Sequence, residues 1–237
     1  MIDGIKIMAN AAIKQISRLD STTHNLANVN TPGFKAERFR SLKPSTVMGT
    51  DEGKPDQGPA TIVDYSQGVL QKTGNALDMA IKGNGFFSVQ TTEGVAYTKD
   101  GRFTLNENSE LVTRAGENVL GRSGKITIEG NDIQISQDGV ISAGGNEVGE
   151  LKLVSFDEPS ALVKLKMGHY GDPDNLAGVQ KGEGSQIQSG YLELSNVQAI
   201  REMVEMINIQ RTFESYQKVI QTISEQNKLA TNRIGSL

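Results

Sequence analysis

The sequence contains no cysteine, which excludes disulfide bonds, thiolate metal sites and a cysteine nucleophile. Aromatic residues make up only 5% of the chain, whereas glycine is frequent at 26 of 237 residues. This composition predicts many turns and a modest core. The formal net charge is −4 and no run of lysine or arginine is present, so the composition argues against a general nucleic-acid binder.

Long hydrophobic runs are also missing. No stretch of about 18 consecutive apolar residues occurs, and we therefore predict no membrane insertion. The first residues, MIDGIKIMANAAIK, do not follow the pattern of a secretory signal, because Asp3 stands where a basic region is expected. We expect the chain to be cytosolic or to leave the cell by a route that does not cleave a leader.

The last fifth of the chain has the clearest helical pattern. Between Ala199 and Leu237, residues in steps of three and four form a seam in which ten of twelve positions are apolar or aromatic. This spacing predicts a long helix with a heptad seam. A second apolar stripe widens the same face: Val197, Ile200, Val204 and Ile207.

A matching helix is predicted over residues 4–28, with Asp3 as its N-cap and Pro32 shortly after its end. An ordinary globular core is the simpler interpretation of one such stripe. Two matched stripes at opposite ends of a chain with a non-helical middle disfavour it. We predict that both helices form a coiled-coil-like helical domain, which completes its burial against further copies.

The middle of the chain has a different pattern. Residues 36–72 are rich in proline, glycine and charge, which indicates a linker or an extended arm. Residues 73–189 contain short β-prone runs, with hairpin turns expected at Asp100-Gly101 and Asp138-Gly139. The predicted fold class is α+β: terminal helical segments at 1–35 and 190–237 enclose an all-β antiparallel domain.

No catalytic, cofactor or metal site is predicted. The two histidines, His24 and His169, lack a third ligand at a suitable spacing. No G-x-S-x-G elbow occurs. Five aspartates, which a glycan hydrolase would need in pairs, show no pairing in the sequence: Asp78, Asp100, Asp132, Asp138 and Asp157.

The exit of the first helix, NLANVNTPGFK at residues 25–35, resembles the N-terminal signature of the bacterial flagellar rod and hook family. Four further segments are similar to that family: TGNALDMAIKGNGFF at 73–87, YTKDGRF at 97–103, GYLELSNV at 190–197 and MVEMINIQRTFE at 203–214. In this order they extend over nearly the whole chain.

The resemblance implies a structural subunit of the basal-body rod that polymerises through its terminal helices into the drive shaft between motor and hook. It implies other rod subunits, hook and ring proteins, and the flagellar export apparatus as partners. It implies a periplasmic location reached without a cleaved signal. The run at 213–223 and the short arm at 44–72 favour the proximal-rod type over the distal type.

The signature and the helical seams together predict an assembly interface. The signature contributes Asn28, Asn30, Gly33 and Phe34. The seams contribute Ile5, Ile16, Leu19, Leu26, Met206, Ile209, Phe213, Tyr216, Ile220 and Ile223. If assembly alone buries these seams, a dilute monomer should be disordered at 1–35 and 191–237 and should leave a protease-resistant core near 40–190.

Two other classes of function stay open at this stage. A secreted oligomeric binding or adhesin module would use the β domain for a ligand, and a closed, finite oligomer in solution would favour it. A cell-wall glycan hydrolase would need a pair of carboxylates in a cleft, and an activity assay on the purified protein would detect it.

Overall fold

The computed structural model describes residues 2–40, 60–130, 132–182 and 184–234. The chain divides into two compact units. The helical unit comprises Met1–Ala27, Glu37–Val63 and Gln198–Leu237, and the β unit comprises Asn28–Ala36 and Asp64–Val197. Each unit is therefore assembled from segments that are distant in the sequence.

The helical unit contains two helices and two strands within its described residues: α1 (Ile2–Ala27), β1 (Glu37–Arg40), β2 (Ala60–Val63) and α2 (Ala199–Ile234). β1 and β2 pair antiparallel. α1 packs against both α2 and β1. Two strands of this unit therefore lie within the range 36–72, for which the sequence predicted a linker or arm.

The predicted coiled-coil-like helical domain is wrong. Within the described ranges there are two α-helices, and the segment between them is dominated by antiparallel sheet. On α1, the predicted seam residue Ile16 is exposed, whereas the polar Thr22 and Asn25 are buried. Of the seam side chains that the structure describes on α2, Ile209 alone is buried. Knobs-into-holes packing requires enclosed seam residues along both helices.

Hydrogen bonding explains why the contact face of α1 differs from the apolar seam. The Nδ2 group of Asn25 donates to the carbonyl oxygen of Glu37 on β1 at 2.8 Å. The hydroxyls of Ser21 and Thr61 are 3.5 Å apart, which places a second polar contact between α1 and β2. Because these polar side chains have hydrogen-bond partners on β1 and β2, they can be buried at the C-terminal end of α1. The face of α1 that packs against the strands therefore differs from the heptad seam.

The β unit contains seventeen strands within its described residues: β3 (Leu70–Lys72), β4 (Met79–Lys82), β5 (Phe86–Thr91), β6 (Gly94–Thr98), β7 (Phe103–Leu105), β8 (Leu111–Thr113), β9 (Asn118–Gly121), β10 (Gly124–Lys125), β11 (Ile133–Ile135), β12 (Val140–Ala143), β13 (Asn146–Glu150), β14 (Leu153–Phe156), β15 (Val163–Lys164), β16 (Tyr170–Gly171), β17 (Val179–Lys181), β18 (Gln186–Ser189) and β19 (Tyr191–Glu193). Short 3₁₀ turns lie at Pro159–Ala161 and Lys166–Gly168.

The largest sheet has the order β15–β16–β6–β5–β9–β8–β7, with β10 on β9 and with β14 joining β17 to β5. β11, β12 and β13 form a three-stranded sheet, and two further pairs are β4–β18 and β3–β19. All these pairings are antiparallel, as the predicted fold class required.

The hairpin predictions had different outcomes. β11 and β12 pair around the turn at Asp138-Gly139, which confirms that prediction. The expected hairpin at Asp100-Gly101 is wrong, because β6 pairs with β5 and β16, whereas β7 pairs with β8. Gly101 instead lies so close to the backbone of Met79 that a side chain would not fit there.

The core of the β unit is formed by alternating apolar positions on several of these strands. Its buried members are Met79, Ile81, Phe87, Val89, Ala96, Phe103, Leu111, Val119, Ile126, Ile128, Ile141, Ala143, Leu151 and Ile187. A second cluster contains Phe34, Ala36 and Val197, with the half-buried Val29 packed against it. Residues from both ends of the chain therefore belong to the β unit.

Candidate assembly interface

Most of the signature lies in the segment Asn28–Ala36 (the signature segment), which belongs to the β unit although it directly follows α1 in the sequence. The segment forms a tight turn, in which the Thr31 amide donates to the Asn28 carbonyl at 3.1 Å. Pro32 follows, which cannot continue a helix that began upstream. The signature therefore directs the chain out of the helix and into the β unit.

Gly33 adopts a left-handed conformation with φ +71°. Its amide donates to the carbonyl oxygen of Glu193 at 2.7 Å, and its Cα faces the backbone of Lys99 and Asp100 too closely for a side chain. Glycine alone combines this φ with such a close approach without strain. The conformation of Gly33 therefore fixes the position of the segment within the β unit.

The four predicted signature residues have different environments. Gly33 and Phe34 are buried within the β unit, where Phe34 packs against Val197 and lies 4.5 Å beneath the ammonium group of Lys164. Asn28 is half-buried and its Oδ1 accepts from the Thr31 hydroxyl at 3.2 Å, whereas Asn30 is exposed. Burial of Gly33 and Phe34 assigns them a packing role inside one chain, and their contribution to assembly stays a prediction.

The predicted seam residues lie along the helical unit. Ile209 is buried at 2% exposure, and Ile16 is 46% exposed. The remaining described members are half-buried: Leu19, Leu26, Met206, Phe213, Tyr216, Ile220 and Ile223. Ile5 is part of α1, and its side chain lies outside the described residues. Half-buried apolar side chains retain area that a neighbouring molecule can cover.

A groove of about 470 Å³ brings four of the predicted residues together: Ile16, Leu19, Ile209 and Phe213. It lies between α1 and α2, and Gln15, Gln210, Glu214 and Gln217 also line it. The Oε1 atom of Gln15 is buried without a hydrogen-bond partner among the described residues.

A second apolar surface, the α2 stripe, was not among the predicted interface residues. It consists of Ile200, Met203, Val204 and Ile207, which are 80%, 49%, 54% and 49% exposed. Their spacing of i, i+3, i+4 and i+7 places them on one face of α2. Ile200, Val204 and Ile207 belong to the second apolar stripe of the sequence, but the predicted interface took its helical residues from the heptad seam.

Polar contacts join α1 to α2 and to β1. A guanidinium nitrogen of Arg18 on α1 pairs with Glu205 on α2, and both side chains are partly exposed. The Nδ1 atom of His24 lies 2.9 Å from a carboxylate oxygen of Glu37 on β1. These contacts position α1 against β1 and α2.

Three residues that the sequence analysis considered for metal binding or catalysis have partners in the structure: His169, Asp100 and Asp157. The Nε2 atom of the buried His169 lies 3.2 Å from Glu117, and Arg102 pairs with Asp100 at 2.6 Å. The amide of Gln180 donates to Asp157 at 3.0 Å. Across the described ranges, no group of three histidine or carboxylate side chains is placed to hold a metal ion. No described helix is long and apolar enough to cross a membrane.

Three family descriptions match the chain. "Flagella basal body rod protein" matches residues 5–35, "Flagellar hook protein FlgE/F/G D1 domain" matches residues 80–143, and "Flagellar basal body rod FlgEFG protein C-terminal" matches residues 188–233. These ranges include α1 with the signature segment, much of the β unit, and α2.

Known proteins resemble the chain over almost its full length. The flagellar basal-body rod protein FlgF of Caulobacter vibrioides is 38% identical, with 92% of each chain covered. FlgG of Bacillus subtilis is 34% identical, with 95% of each chain covered. FlgF of Rhizobium meliloti is 34% identical over 91% of this chain and 90% of its own. The chain therefore belongs to the family of flagellar basal-body rod proteins.

Proposed function

We propose that this protein is a structural subunit of the flagellar basal-body rod and that it polymerises through the apolar surfaces of its two helices. One observation carries this proposal: the α2 stripe and the groove between α1 and α2 are two separate apolar surfaces of one unit. Membership of the rod-protein family supports the location in the rod.

The two surfaces differ in shape, and that difference favours an open polymer. The α2 stripe runs along an exposed face of α2, whereas the groove is a hollow between α1 and α2. A contact between unlike surfaces continues from copy to copy and does not close after two subunits unless its rotation forms a ring. The α2 stripe of one subunit therefore packs into the groove of the next.

This arrangement suits a shaft that transmits torque from the motor to the hook. We further propose that the subunit reaches the periplasm through the flagellar export apparatus without a cleaved signal and has hook and ring proteins as neighbours. The run at 213–223 and the short arm favour the proximal part of the rod. Membership of the rod-protein family supports a structural role.

The proposal is tested by placing a charge on each surface in turn. Ile200→Asp changes the α2 stripe, and Phe213→Asp changes the groove. Ile220→Asp, further along the predicted seam, is a third variant. Each variant should keep the thermal unfolding transition of the β unit but should fail to enter the rod, as observed by electron microscopy of basal bodies and by loss of motility.

Val95→Asp is the matched control, because Val95 is an apolar residue of the β unit with 44% exposure. It should leave rod assembly intact. Normal motility with intact basal bodies in both the Ile200→Asp and the Phe213→Asp strain would exclude these surfaces as the assembly contacts.

A further inference from the structure

A buried ion pair joins the two ends of the chain inside the β unit. The Nζ atom of Lys35 lies 2.6 Å from Oε1 of Glu193, and both side chains are only 1% exposed. Lys35 also donates to the carbonyl oxygen of Ser66 at 2.8 Å, and Glu193 Oε1 also accepts from the Gly68 amide at 2.8 Å. The pair therefore connects the signature segment, the strand β19 and the chain that leads into β3.

The two carboxylate oxygens of Glu193 have different environments, because the partners described above bind Oε1. Its Oε2 atom is buried and has no hydrogen-bond partner within the described residues. A second lysine, Lys99, is buried nearby, with Nζ 2.8 Å from the carbonyl oxygen of Gly83 and 5.0 Å from the ring centroid of Phe86. Glu193 interacts electrostatically with Lys99 as well as with Lys35. Glu193 therefore pairs with Lys35 and also favours the charged form of Lys99, whose pKa burial nevertheless lowers.

Glu193 also holds the signature segment through its backbone. Its carbonyl oxygen accepts from the Gly33 amide at 2.7 Å. Its strand, β19, pairs with β3 in the register Glu193 opposite Leu70. The removal of β19 would therefore take away the Glu193 partner of three groups at once: the Gly33 amide, the Gly68 amide and the ammonium group of Lys35.

The two members of the pair are 158 positions apart in the sequence. The segment 28–36 is synthesised early, whereas Glu193, the carboxylate that accompanies Lys35 into the interior, is synthesised much later. An uncompensated buried charge is far more unfavourable than a missing neutral hydrogen bond. The segment is therefore expected to remain undocked until β19 arrives.

We propose that Lys35 and Glu193 form a completion lock: the signature segment and β19 enter the β unit together, and the β unit closes only with both in place. The lock concerns folding within one chain, so it stands independently of how the helical unit contacts other copies. It also predicts an ordered body that includes residues 28–36 and 191–197, in contrast to the sequence-based expectation of a core near 40–190.

The first test is native-state hydrogen exchange on the full-length, verified monomer. The amides of Gly33 and Gly68 report the lock, and the Leu111 amide, bonded to the carbonyl oxygen of Ile126 at 2.9 Å, reports the core. With a lock, all three amides open in one cooperative step, and their protection factors agree within about tenfold. If Gly33 and Gly68 exchange more than about a hundredfold faster than Leu111, the ends open separately and the lock is excluded.

The second test removes each charge in the full chain and then both. Lys35→Met and Glu193→Gln should each reduce the folded-to-unfolded ratio by roughly a hundred- to a thousandfold, because each leaves a buried charge without its partner. The double variant Lys35→Met/Glu193→Gln should recover at least about tenfold in the folded-to-unfolded ratio relative to the less stable single variant. Arg122→Met, which removes a pair with an exposed arginine, is the control and should change the ratio less than about fivefold.

Additive losses in the double variant would show that the two charges act independently, and that result would overturn the lock. If a single variant does not fold at all, the double variant still decides, since recovery of a cooperative unfolding transition requires coupling between the two positions. The exchange experiment needs no substitution and gives a decision in either case.

Discussion

The side-chain amide of Asn25 on α1 bonds to both backbone groups of Glu37 on β1. Its Nδ2 atom donates to the Glu37 carbonyl oxygen at 2.8 Å, and its Oδ1 atom accepts from the Glu37 amide at 2.7 Å. Nδ2 also lies 3.3 Å from Oε2 of Glu202 on α2. A single asparagine in a helix therefore satisfies the first residue of a strand and contacts the second helix.

Replacement of Asn25 should destabilise the contact between α1 and β1. Asn25→Ala leaves the Glu37 amide without its Asn25 partner, and we expect the free energy of local opening to fall by about 1–3 kcal/mol. Hydrogen exchange at the Glu37 amide of the full chain measures this change. Thr23→Ala, two residues away and exposed, is the control and should have no measurable effect. Equal exchange rates in the two variants would contradict the role of Asn25.

Two phenylalanines of the predicted interface should behave differently. Phe34 is 6% exposed in the β unit, and Phe34→Ala should lower the free energy of unfolding of the monomer by about 3–5 kcal/mol. Phe213 is half-buried in the groove, and Phe213→Ala should lower it by less, about 1–2 kcal/mol. Denaturant unfolding of both variants tests this order, and a larger effect at Phe213 would contradict it.

The left-handed conformation of Gly33 makes a third prediction. Gly33→Ala combines an unfavourable φ with a steric conflict against the backbone of Lys99 and Asp100, so it should destabilise the β unit by more than about 2 kcal/mol. Gly116 has a φ of +85° with nothing within 4 Å of an added Cβ. Gly116→Ala thus isolates the contribution of φ, and it should cost about 1 kcal/mol. Similar unfolding midpoints would rule out the close approach at Gly33.

Lys99 should make the stability of the β unit depend on pH. Burial lowers the pKa of Lys99 from 10.5 to about 8, against the opposing influence of Glu193. Between these two pKa values the unfolded chain holds a proton that the folded chain has released, so stability rises with pH. The contribution is fully present above pH 10.5 and is lost as the pH falls through about 8. From pH 7 to pH 10 the free energy of unfolding should increase by about 2–3 kcal/mol.

The measurement compares denaturant unfolding of the wild-type chain and of Lys99→Met across this range. The variant should lack the increase, whereas Lys82→Met, at an exposed position, should retain it. Burial also raises the pKa of Tyr65, and this acts in the opposite direction once the unfolded tyrosine ionises above about pH 10. The comparison therefore ends at pH 10, and a parallel pH dependence in Lys99→Met would disprove the assignment.

Local patterns in the sequence predicted local structure well. Steps of three and four residues indicated both helices, and Asp138-Gly139 indicated the β11–β12 hairpin, because these patterns depend on neighbours along the chain. At Asp100-Gly101 the same turn signal misled, since the close approach of Gly101 to Met79 is a tertiary contact. A glycine required by a distant backbone looks the same in the sequence as a glycine in a hairpin.

The coiled-coil prediction failed for a related reason. A heptad seam states which residues are apolar, but it does not include the hydrogen bonds that draw polar residues such as Asn25 and Thr22 inward. Four of the predicted interface residues line the groove, whereas the α2 stripe was not among them, and the interface itself stays a prediction. The partnership of Lys35 with Glu193 could not be foreseen, because nothing in either segment names a partner 158 positions away.

The interleaved origin of the two units has a practical consequence for hybrids between this protein and its relatives. An exchange of residues 1–35 as a block would place Gly33 and Phe34 of one protein in the β unit of the other and disturb the core of that unit. Junctions after residues 27, 36, 63 and 197 follow the observed division. They would exchange the two helices together with the β1–β2 pair, and each β unit would keep its own core residues. Hybrids cut at these four points can separate the contribution of the helical unit to rod assembly from that of the β unit.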